Sequence, residues 1–350
     1  MRFVCPPLAA GYRSGVAGRG GWRRLGRTRF RYVDSSGREI RDEEQLERIR
    51  ALVIPPAWQD VWISPSPRAR IQATGIDAAG RKQYRYHEAY RAARERAKFD
   101  RLLHFADALP RLRGRASQHL RRDPLEREWT CALAIGLVNK AWFRVGTDTH
   151  ARRSRTYGVT TLTKRHVSVV ADEVRFCFRT KNRKLVRRSI QDATLATCMA
   201  ELLEVPGARV FRYEREGELV ALTGQQLNAY LGEHMGDGFT AKDFRTWGGT
   251  LLAATELARR GPAPDERAAT RTVAAVMRTV ATELGNTPAV ARASYVSPAV
   301  VDAYLGGCTL EEFRSPNGSV PRRLSADERA LVALLRSDAA LASNAGRGAR

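Results

Sequence analysis

The chain has 350 residues, of which 43% are hydrophobic, so it is long and apolar enough to bury a core and to form more than one domain. Sixty Lys and Arg residues stand against 37 Asp and Glu residues, which gives a formal net charge of +23. A globular protein this basic most often binds a polyanion.

Several classes of protein are disfavoured by the same sequence. The five cysteines are scattered, and neither a CxxC nor an HxxxH pair is present, so no disulfide framework or zinc site is indicated. No apolar run reaches the length that crosses a bilayer, and the N-terminal stretch around Pro6 and Pro7 is poor material for a signal peptide. We therefore expect a cytoplasmic protein. The sequence also contains no Walker loop and no carboxylate cluster with metal-ligand spacing.

The N-terminal part of the chain is predicted to hold an extension and a small β-rich domain. Residues 1–27 are rich in Gly and Arg and are expected to be disordered. Within residues 28–90, strands are predicted in "RFRYVD", "DVWIS" and twice in "ARIQATGIDAAGRKQYRYH", with a short helix "DEEQLERIRAL" that stops before Pro55. A linker near 88–97 is expected to join this domain to the next.

Residues 91–310 are predicted to form a larger, mostly helical domain. Asp123–Pro124 has the residue types of a helix start, and the segment after Trp129 is apolar nearly all round, which is typical of a buried helix. Two more helices are expected over 240–258 and 265–285, the first of them capped by Thr240.

A small sheet is predicted inside this helical domain. Its three short strands are expected in "TYGVTTL", "HVSVVADEVRFCF" and "LVRRSI", with "RTKNRK" as a tight turn. After the domain, residues 311–350 are expected to be a partly disordered tail.

Four short motifs contain side chains that suit phosphate chemistry. They are "WFRVG", "FCFRTKNRK", "KDFRTWGGT" and "LGNTPAVARASYVSP", which contain Arg144, Lys181, Arg245, and Asn286 with Tyr295. Singly, each residue has an ordinary explanation: a surface charge, a solvated turn lysine, a helix terminator or a half-buried tyrosine. Their joint presence in this order is far more specific than any one motif.

With these motifs, and with "GRKQ" before "YRYH" and "RVG" before "YGVTTL", the chain resembles the poxvirus-like and bacterial type IB DNA topoisomerases over about residues 30–310. The resemblance implies an α+β fold in which a small β-rich N-terminal domain and a larger, mostly α-helical catalytic domain with an inserted sheet, like that of the tyrosine recombinases, form a C-shaped clamp. It implies a monomer that relaxes supercoiled double-stranded DNA through a 3′-phosphotyrosine, without ATP or metal.

The same resemblance implies a role for each site residue. Tyr295 is the nucleophile, Lys181 is the general acid, and Arg144, Arg245 and Asn286 stabilise the transition state. Contact with the DNA major groove is implied for the strand that holds Arg81, Lys82, Gln83, Tyr84 and Tyr86. The last two tyrosines could instead form one packed face of a sheet, because they are two residues apart.

The chain departs from the family pattern near the proposed acid. Thr180 and Arg183 stand where the family usually has Gly. These two differences concern the conformation of the turn and leave the five catalytic residue types in place.

Two other functions fit part of the pattern. A tyrosine recombinase or integrase shares the catalytic chemistry, but such enzymes usually carry H-x-x-R, and the His position is Lys242 here. A basic, non-catalytic DNA-binding protein would explain the net charge but not the five-residue constellation.

Overall fold

The computed structural model describes residues 20–26, 29–314 and 323–347. The chain divides into two compact units, and the division falls between Lys98 and Phe99. The N-terminal extension expected over 1–27 therefore lies mostly outside the described residues.

The first unit is built on a five-stranded antiparallel sheet with the strand order β2-β1-β3-β4-β5. Its elements are β1 (Trp22–Leu25), β2 (Arg31–Val33), α1 (Glu43–Ala51), β3 (Gln59–Ile63), β4 (Ile71–Ile76) and β5 (Lys82–Tyr86). Ile49 of α1 packs with Trp22 and Ile63 of the sheet in one apolar cluster. Strand β1 lies in the segment that is expected to be disordered. The sequence around it is rich in Gly and Arg, and the core residue Trp22 alone does not make a recognisable apolar pattern.

A single helix, α2 (Glu88–His119), takes the place of the linker expected near 88–97. It crosses the division between the two units. Leu102, Phe105 and Leu109 of this helix are buried at helical spacing, and they belong to the core of the second unit.

The second unit is mostly helical and is centred on α3 (Arg127–Ala141), which is buried from Trp129 onwards on nearly every side. This confirms the predicted buried helix, but the helix begins at Arg127, later than the sequence predicts. Leu125 has a φ of +75°, outside the helical region, and Glu126 is the N-cap. Asp123–Pro124 therefore belongs to the turn before the helix.

The other elements of the second unit are arranged around α3. They are α4 (Asp148–Ser154), β6 (Val167–Val170), β7 (Glu173–Arg179), β8 (Leu185–Gln191), α5 (Ala193–Glu204), β9 (Arg212–Arg215), β10 (Glu218–Ala221), α6 (Gly224–Met235), α7 (Ala241–Arg260), α8 (Glu266–Leu284), α9 (Pro288–Tyr295), α10 (Pro298–Leu305) and α11 (Ala326–Arg347). The helices predicted over 240–258 and 265–285 are α7 and α8, and Thr240 caps α7 as predicted, with Asp243 accepting from its backbone N–H.

The inserted sheet is an antiparallel three-stranded sheet of β6, β7 and β8. Its inward-facing Phe176 and Phe178 both meet the ring of Phe143 edge to face, at centroid distances of 5.0 and 5.2 Å. The strand predicted in "TYGVTTL" is instead a short 3₁₀ turn, Val159–Thr161. Its amides hydrogen-bond to the chain that follows α3, since Val159 N–H donates to the Arg144 carbonyl over 2.8 Å.

The C-terminal helix α11 lies where the sequence predicts a tail. Leu331, Leu334 and Leu335 join the core of the second unit. The Glu328 carboxylate is 4% exposed and accepts two hydrogen bonds from the Arg113 guanidinium of α2, at 2.7 and 2.8 Å. Residues 315–322 and 348–350, also part of the expected tail, lie outside the described residues.

Within the ranges that the structure describes, no helix combines the length and apolar character needed to span a membrane.

Candidate active site

Tyr295 is the last residue of α9, and its backbone is fixed from the neighbouring helix α7. The Thr250 hydroxyl donates to the Tyr295 carbonyl over 3.2 Å, and it accepts from the Ser297 amide over 3.1 Å. Gly249 lets the helices approach, because a Cβ at this position would lie 2.7 Å from the Tyr295 carbonyl oxygen and 3.1 Å from its Cβ. The motif "WGGT" thus supplies a close helix contact at the tyrosine.

The resemblance implies that Tyr295 is the nucleophile that cleaves DNA. On that role, Gly249→Ala should displace Tyr295 and lower the single-turnover rate of DNA cleavage on the order of 100-fold, since a shift of about 1 Å in a reacting group can cost that much. Binding to DNA should change little. Gly232→Ala in α6 is the matched control, because a Cβ there meets no atom within 4 Å. Equal cleavage rates for both variants would show that the close approach at Gly249 does not position Tyr295.

Arg245 of α7 is buried beneath Tyr295. Its two Nη groups donate to the backbone carbonyls of Trp142 and Leu284 over 2.5 and 2.7 Å, and its Cζ lies 5.1 Å from the centroid of the Tyr295 ring. In the sequence, Arg245 lies one residue off an apolar stripe that begins with Phe244 and Trp247, which predicts a position on the flank of a half-buried helical face. In the structure, Arg245 is only 5% exposed. The two carbonyls lie at helix ends, that of Trp142 just after α3 and that of Leu284 at the end of α8. They make this burial possible because they accept hydrogen bonds from the guanidinium group.

Arg144 and Asn286 meet beside this tyrosine–arginine pair. Arg144 Nη2 donates to Asn286 Oδ1 over 2.7 Å. Arg144 is brought there by the left-handed Trp142, which ends α3, and by the packing of Phe143 against the small sheet. Asn286 follows Gly285, whose left-handed conformation ends α8.

These three residues carry buried donors that no protein group satisfies. Six buried side-chain polar atoms in the described residues have no hydrogen-bond partner, and three of them are Arg144 Nε, Arg245 Nε and Asn286 Nδ2. Burying a hydrogen-bond donor without a partner destabilises the fold. Three such donors on neighbouring residues therefore indicate a binding site for a group that accepts hydrogen bonds. Two guanidiniums and an amide suit the oxygens of a phosphodiester.

The ionisation of the pair is shifted accordingly. Burial and the charge of Arg144 lower the pKa of Arg245 to about 10. Burial alone would raise the pKa of Tyr295, but the charge of Arg245, hydrogen bonding to its guanidinium and the charge of Arg144 outweigh it and bring the pKa below the usual phenol value. The site therefore makes the Tyr295 hydroxyl easier to deprotonate than that of an ordinary tyrosine.

Lys181 lies at the first position of the 3₁₀ turn Lys181–Arg183, at the tip of the β7–β8 hairpin, and its side chain is exposed. The structure joins this hairpin to the site through its neighbour Lys184, whose Nζ donates to the Asn286 carbonyl over 2.7 Å. Thr180 has extended backbone that needs no glycine, whereas Arg183 has a φ of +56°, where the Gly usual in the family would be unstrained.

The five residues expected to contact DNA lie at the start of and along β5 in the first unit. Tyr84 and Tyr86 are exposed and stack on each other at 5.9 Å, and the Tyr86 ring also lies 5.4 Å from the ring of Tyr90 in α2. Gln83, on the other face, donates to Asp77 over 2.8 Å, and Arg81 pairs with the same carboxylate. Lys82 lies with the tyrosines, 5.9 Å from the Tyr84 ring.

Four residues that support the site are not predicted from the sequence: Trp142, Lys184, Gly249 and Thr250. The adjacent glycines of "WGGT" inside a helix are the one signal that could have indicated a close approach. The described residues contain no group of three or more His, Cys, Asp and Glu side chains suited to a metal ion.

Comparison with known families and proteins gives three matches. Residues 87–304 match the family described as eukaryotic DNA topoisomerase I, catalytic core, and residues 29–77 match the bacterial DNA topoisomerase IB N-terminal domain. The DNA topoisomerase 1B of Acanthamoeba polyphaga mimivirus is 30% identical over 285 residues, which cover 79% of this chain and 84% of the viral protein.

Proposed function

The chain belongs to the type IB DNA topoisomerase family, and from this premise we propose that it relaxes supercoiled DNA through a covalent bond between Tyr295 and a 3′ phosphate. The observation that carries the proposal is the set of three unpartnered buried donors, on Arg144, Arg245 and Asn286, that adjoins this tyrosine. One phosphodiester group would satisfy all three.

In the proposed cleavage step, the Tyr295 oxygen attacks phosphorus as it loses its proton. A P–O bond to the tyrosine forms, the P–O5′ bond breaks, and the 5′ oxygen leaves with a proton. The cut strand then rotates about the intact strand, and the 5′ hydroxyl attacks the phosphotyrosine to restore the phosphodiester. One phosphate ester replaces another at each step, so the bond energy is retained and no ATP is needed.

The donors at the site supply what this reaction requires. A phosphodiester carries one negative charge, and the charge approaches two in the five-coordinate transition state. Arg144, Arg245 and Asn286 can donate to the non-bridging oxygens without taking part in proton transfer. Removing one preorganised donor of this kind typically costs about 3–4 kcal/mol in the barrier. These donors also perform the charge neutralisation for which other phosphoryl-transfer sites use metal ions.

We assign the proton that leaves with the 5′ oxygen to Lys181. The alkoxide is a poor leaving group, and general acids typically accelerate such a step by ~10²- to 10⁴-fold. The exposed tip of a hairpin leaves the lysine free to reach a bound strand. If the 5′ oxygen is replaced by sulfur, the leaving thiolate needs no proton, because a thiol has a pKa near 8.5.

In the first unit, we propose that β5 contacts the DNA duplex. Lys82, Tyr84 and Tyr86 share its exposed face, and the stacked tyrosines offer apolar contact to thymine methyl groups. Gln83 would have to leave Asp77 to read a base. A C-shaped clamp, a monomeric state and a location with the DNA in the cytoplasm belong to the same proposal.

The recombinase alternative is not favoured. Both family matches and the viral relative are topoisomerases. A recombinase would join two duplexes, whereas relaxation leaves the DNA sequence unchanged.

A plasmid assay tests the proposal directly. The purified protein should convert a supercoiled plasmid into a ladder of relaxed topoisomers in buffer with EDTA and without nucleotide. Denaturing the reaction with detergent should trap protein on the 3′ end of a nicked strand. An absolute need for Mg²⁺ or ATP, or protein linked to the 5′ end, would contradict the proposed chemistry.

A further inference from the structure

The C-terminal end of α8 is held by three cations, two from the β7–β8 hairpin and one from α7. The backbone carbonyls of Glu283 and Leu284 in its last turn accept from Arg188 and Arg245 over 3.0 and 2.7 Å. The carbonyl of Asn286, just beyond the C-cap Gly285, accepts from Lys184 over 2.7 Å. The last carbonyls of a helix lack partners within the helix and bear partial negative charge, so cations stabilise them. This end of α8 leads through Asn286 into α9 and Tyr295.

Two of the three cations belong to the β7–β8 hairpin, which also carries Lys181. Lys184 lies at the base of the turn, and Arg188 lies further along β8, where it also forms an ion pair with the Glu283 carboxylate at 2.7 Å. The hairpin tip is packed as well as tethered, because Thr180 is 5% exposed and its methyl group is 3.7 Å from the position of a Cβ on Gly285.

Lys184 is the tether closest to the proposed acid. The Lys184 carbonyl accepts from the Thr180 amide over 2.8 Å and so closes the turn that contains Lys181. The Lys184 Nζ donates to the backbone carbonyl of Asn286, whose side-chain Oδ1 accepts from Arg144. The Lys184 side chain therefore links the turn that contains Lys181 to the α8–α9 corner, which is formed by residues 285–287.

We propose that Lys184 is a positioning residue, which docks the hairpin on the α8–α9 corner and thereby holds the general acid and the nucleophile in one frame. This inference rests on the proposed function and deepens it. Lys184 does not itself touch the reacting atoms. Its loss should let the hairpin move away from the corner and so lower the fraction of enzyme in which Lys181 can reach the 5′ oxygen.

The test is single-turnover cleavage, at saturating protein, of an ordinary strand and of a strand with a 5′-bridging sulfur. Lys184→Ala should cleave the ordinary strand about 10-fold more slowly than wild type, as the loss of one charge-assisted hydrogen bond allows. It should cleave the sulfur-containing strand at nearly the wild-type rate, since that leaving group needs no acid. Lys184→Arg, which keeps a cationic donor, should recover most of the ordinary rate.

Arg187→Ala is the matched control, because it removes one exposed positive charge from the same hairpin. Any defect it causes should be equal on the two substrates. Thermal melting should show that Lys184→Ala is folded like wild type. An equal defect of Lys184→Ala on both substrates, or no defect on either, overturns the positioning role.

The underlying function fails in a different way. If Tyr295→Phe still formed a covalent complex, the assignment of the nucleophile would be wrong whatever Lys184 did. If Tyr295→Phe is inactive and only Lys184→Ala behaves like wild type, the positioning role alone is wrong.

Discussion

Tyr295→Phe is expected to abolish plasmid relaxation and covalent complex formation while leaving DNA affinity nearly unchanged. The substitution removes only the phenolic oxygen, which is the bond-forming atom in the proposed reaction. The ring that packs beside Arg245 is kept. Affinity should persist because a net charge of +23 provides many phosphate contacts elsewhere.

Tyr304→Phe is the matched control for this loss. Tyr304 is a buried tyrosine of α10 whose hydroxyl donates to the Gly261 carbonyl over 3.0 Å. Loss of this hydrogen bond should lower the free energy of unfolding by about 1 kcal/mol and leave the relaxation rate unchanged. Relaxation is followed by agarose gel and affinity by a binding titration at fixed salt. Relaxation by Tyr295→Phe near the wild-type rate would remove Tyr295 from the reaction.

Periodic and strongly patterned elements were predictable from the sequence. The apolar segment after Trp129, the stripes of α7 and α8 and the cap at Thr240 all correspond to observed elements. The pattern of these helices is set by their own burial, so local sequence is enough.

The errors fall where distant contacts decide the structure. The backbone around Val159 pairs with the Arg144 segment and turns as a 3₁₀ helix, although its β-branched residues favour a strand. Helix α11 depends on a buried carboxylate whose partner, Arg113, is 215 residues away in sequence. No local pattern could reveal either contact.

For the site, the residue types and the order of the motifs indicated a candidate set, whereas the structure supplies its geometry. It brings Tyr295, Arg144, Arg245 and Asn286 together. The role of Lys181 stays a prediction, because its side chain lies exposed at the tip of the hairpin, whereas Arg245 is buried against the Tyr295 ring. The supporting contacts at Gly249 and Lys184 could not be predicted, since they depend on helix separation and on backbone carbonyls.

Lys181→Ala should slow cleavage of an ordinary strand by ~10²- to 10⁴-fold, the range expected for loss of a general acid. With a bridging sulfur at the 5′ position, the same variant should cleave nearly as fast as wild type. The measurement is single-turnover cleavage of the two strands at saturating protein, so that any change in DNA affinity does not enter the rate.

Arg245→Ala separates proton donation from charge stabilisation in this experiment. Arg245 is expected to act on the non-bridging oxygens, whose charge in the transition state is not relieved by a better leaving group. Sulfur should therefore rescue Arg245→Ala much less than Lys181→Ala. If the defect of Lys181→Ala were the same on both strands, Lys181 would be a phosphate-binding cation, and the proton donor would have to be sought in Arg144 or another cation of the 179–188 hairpin.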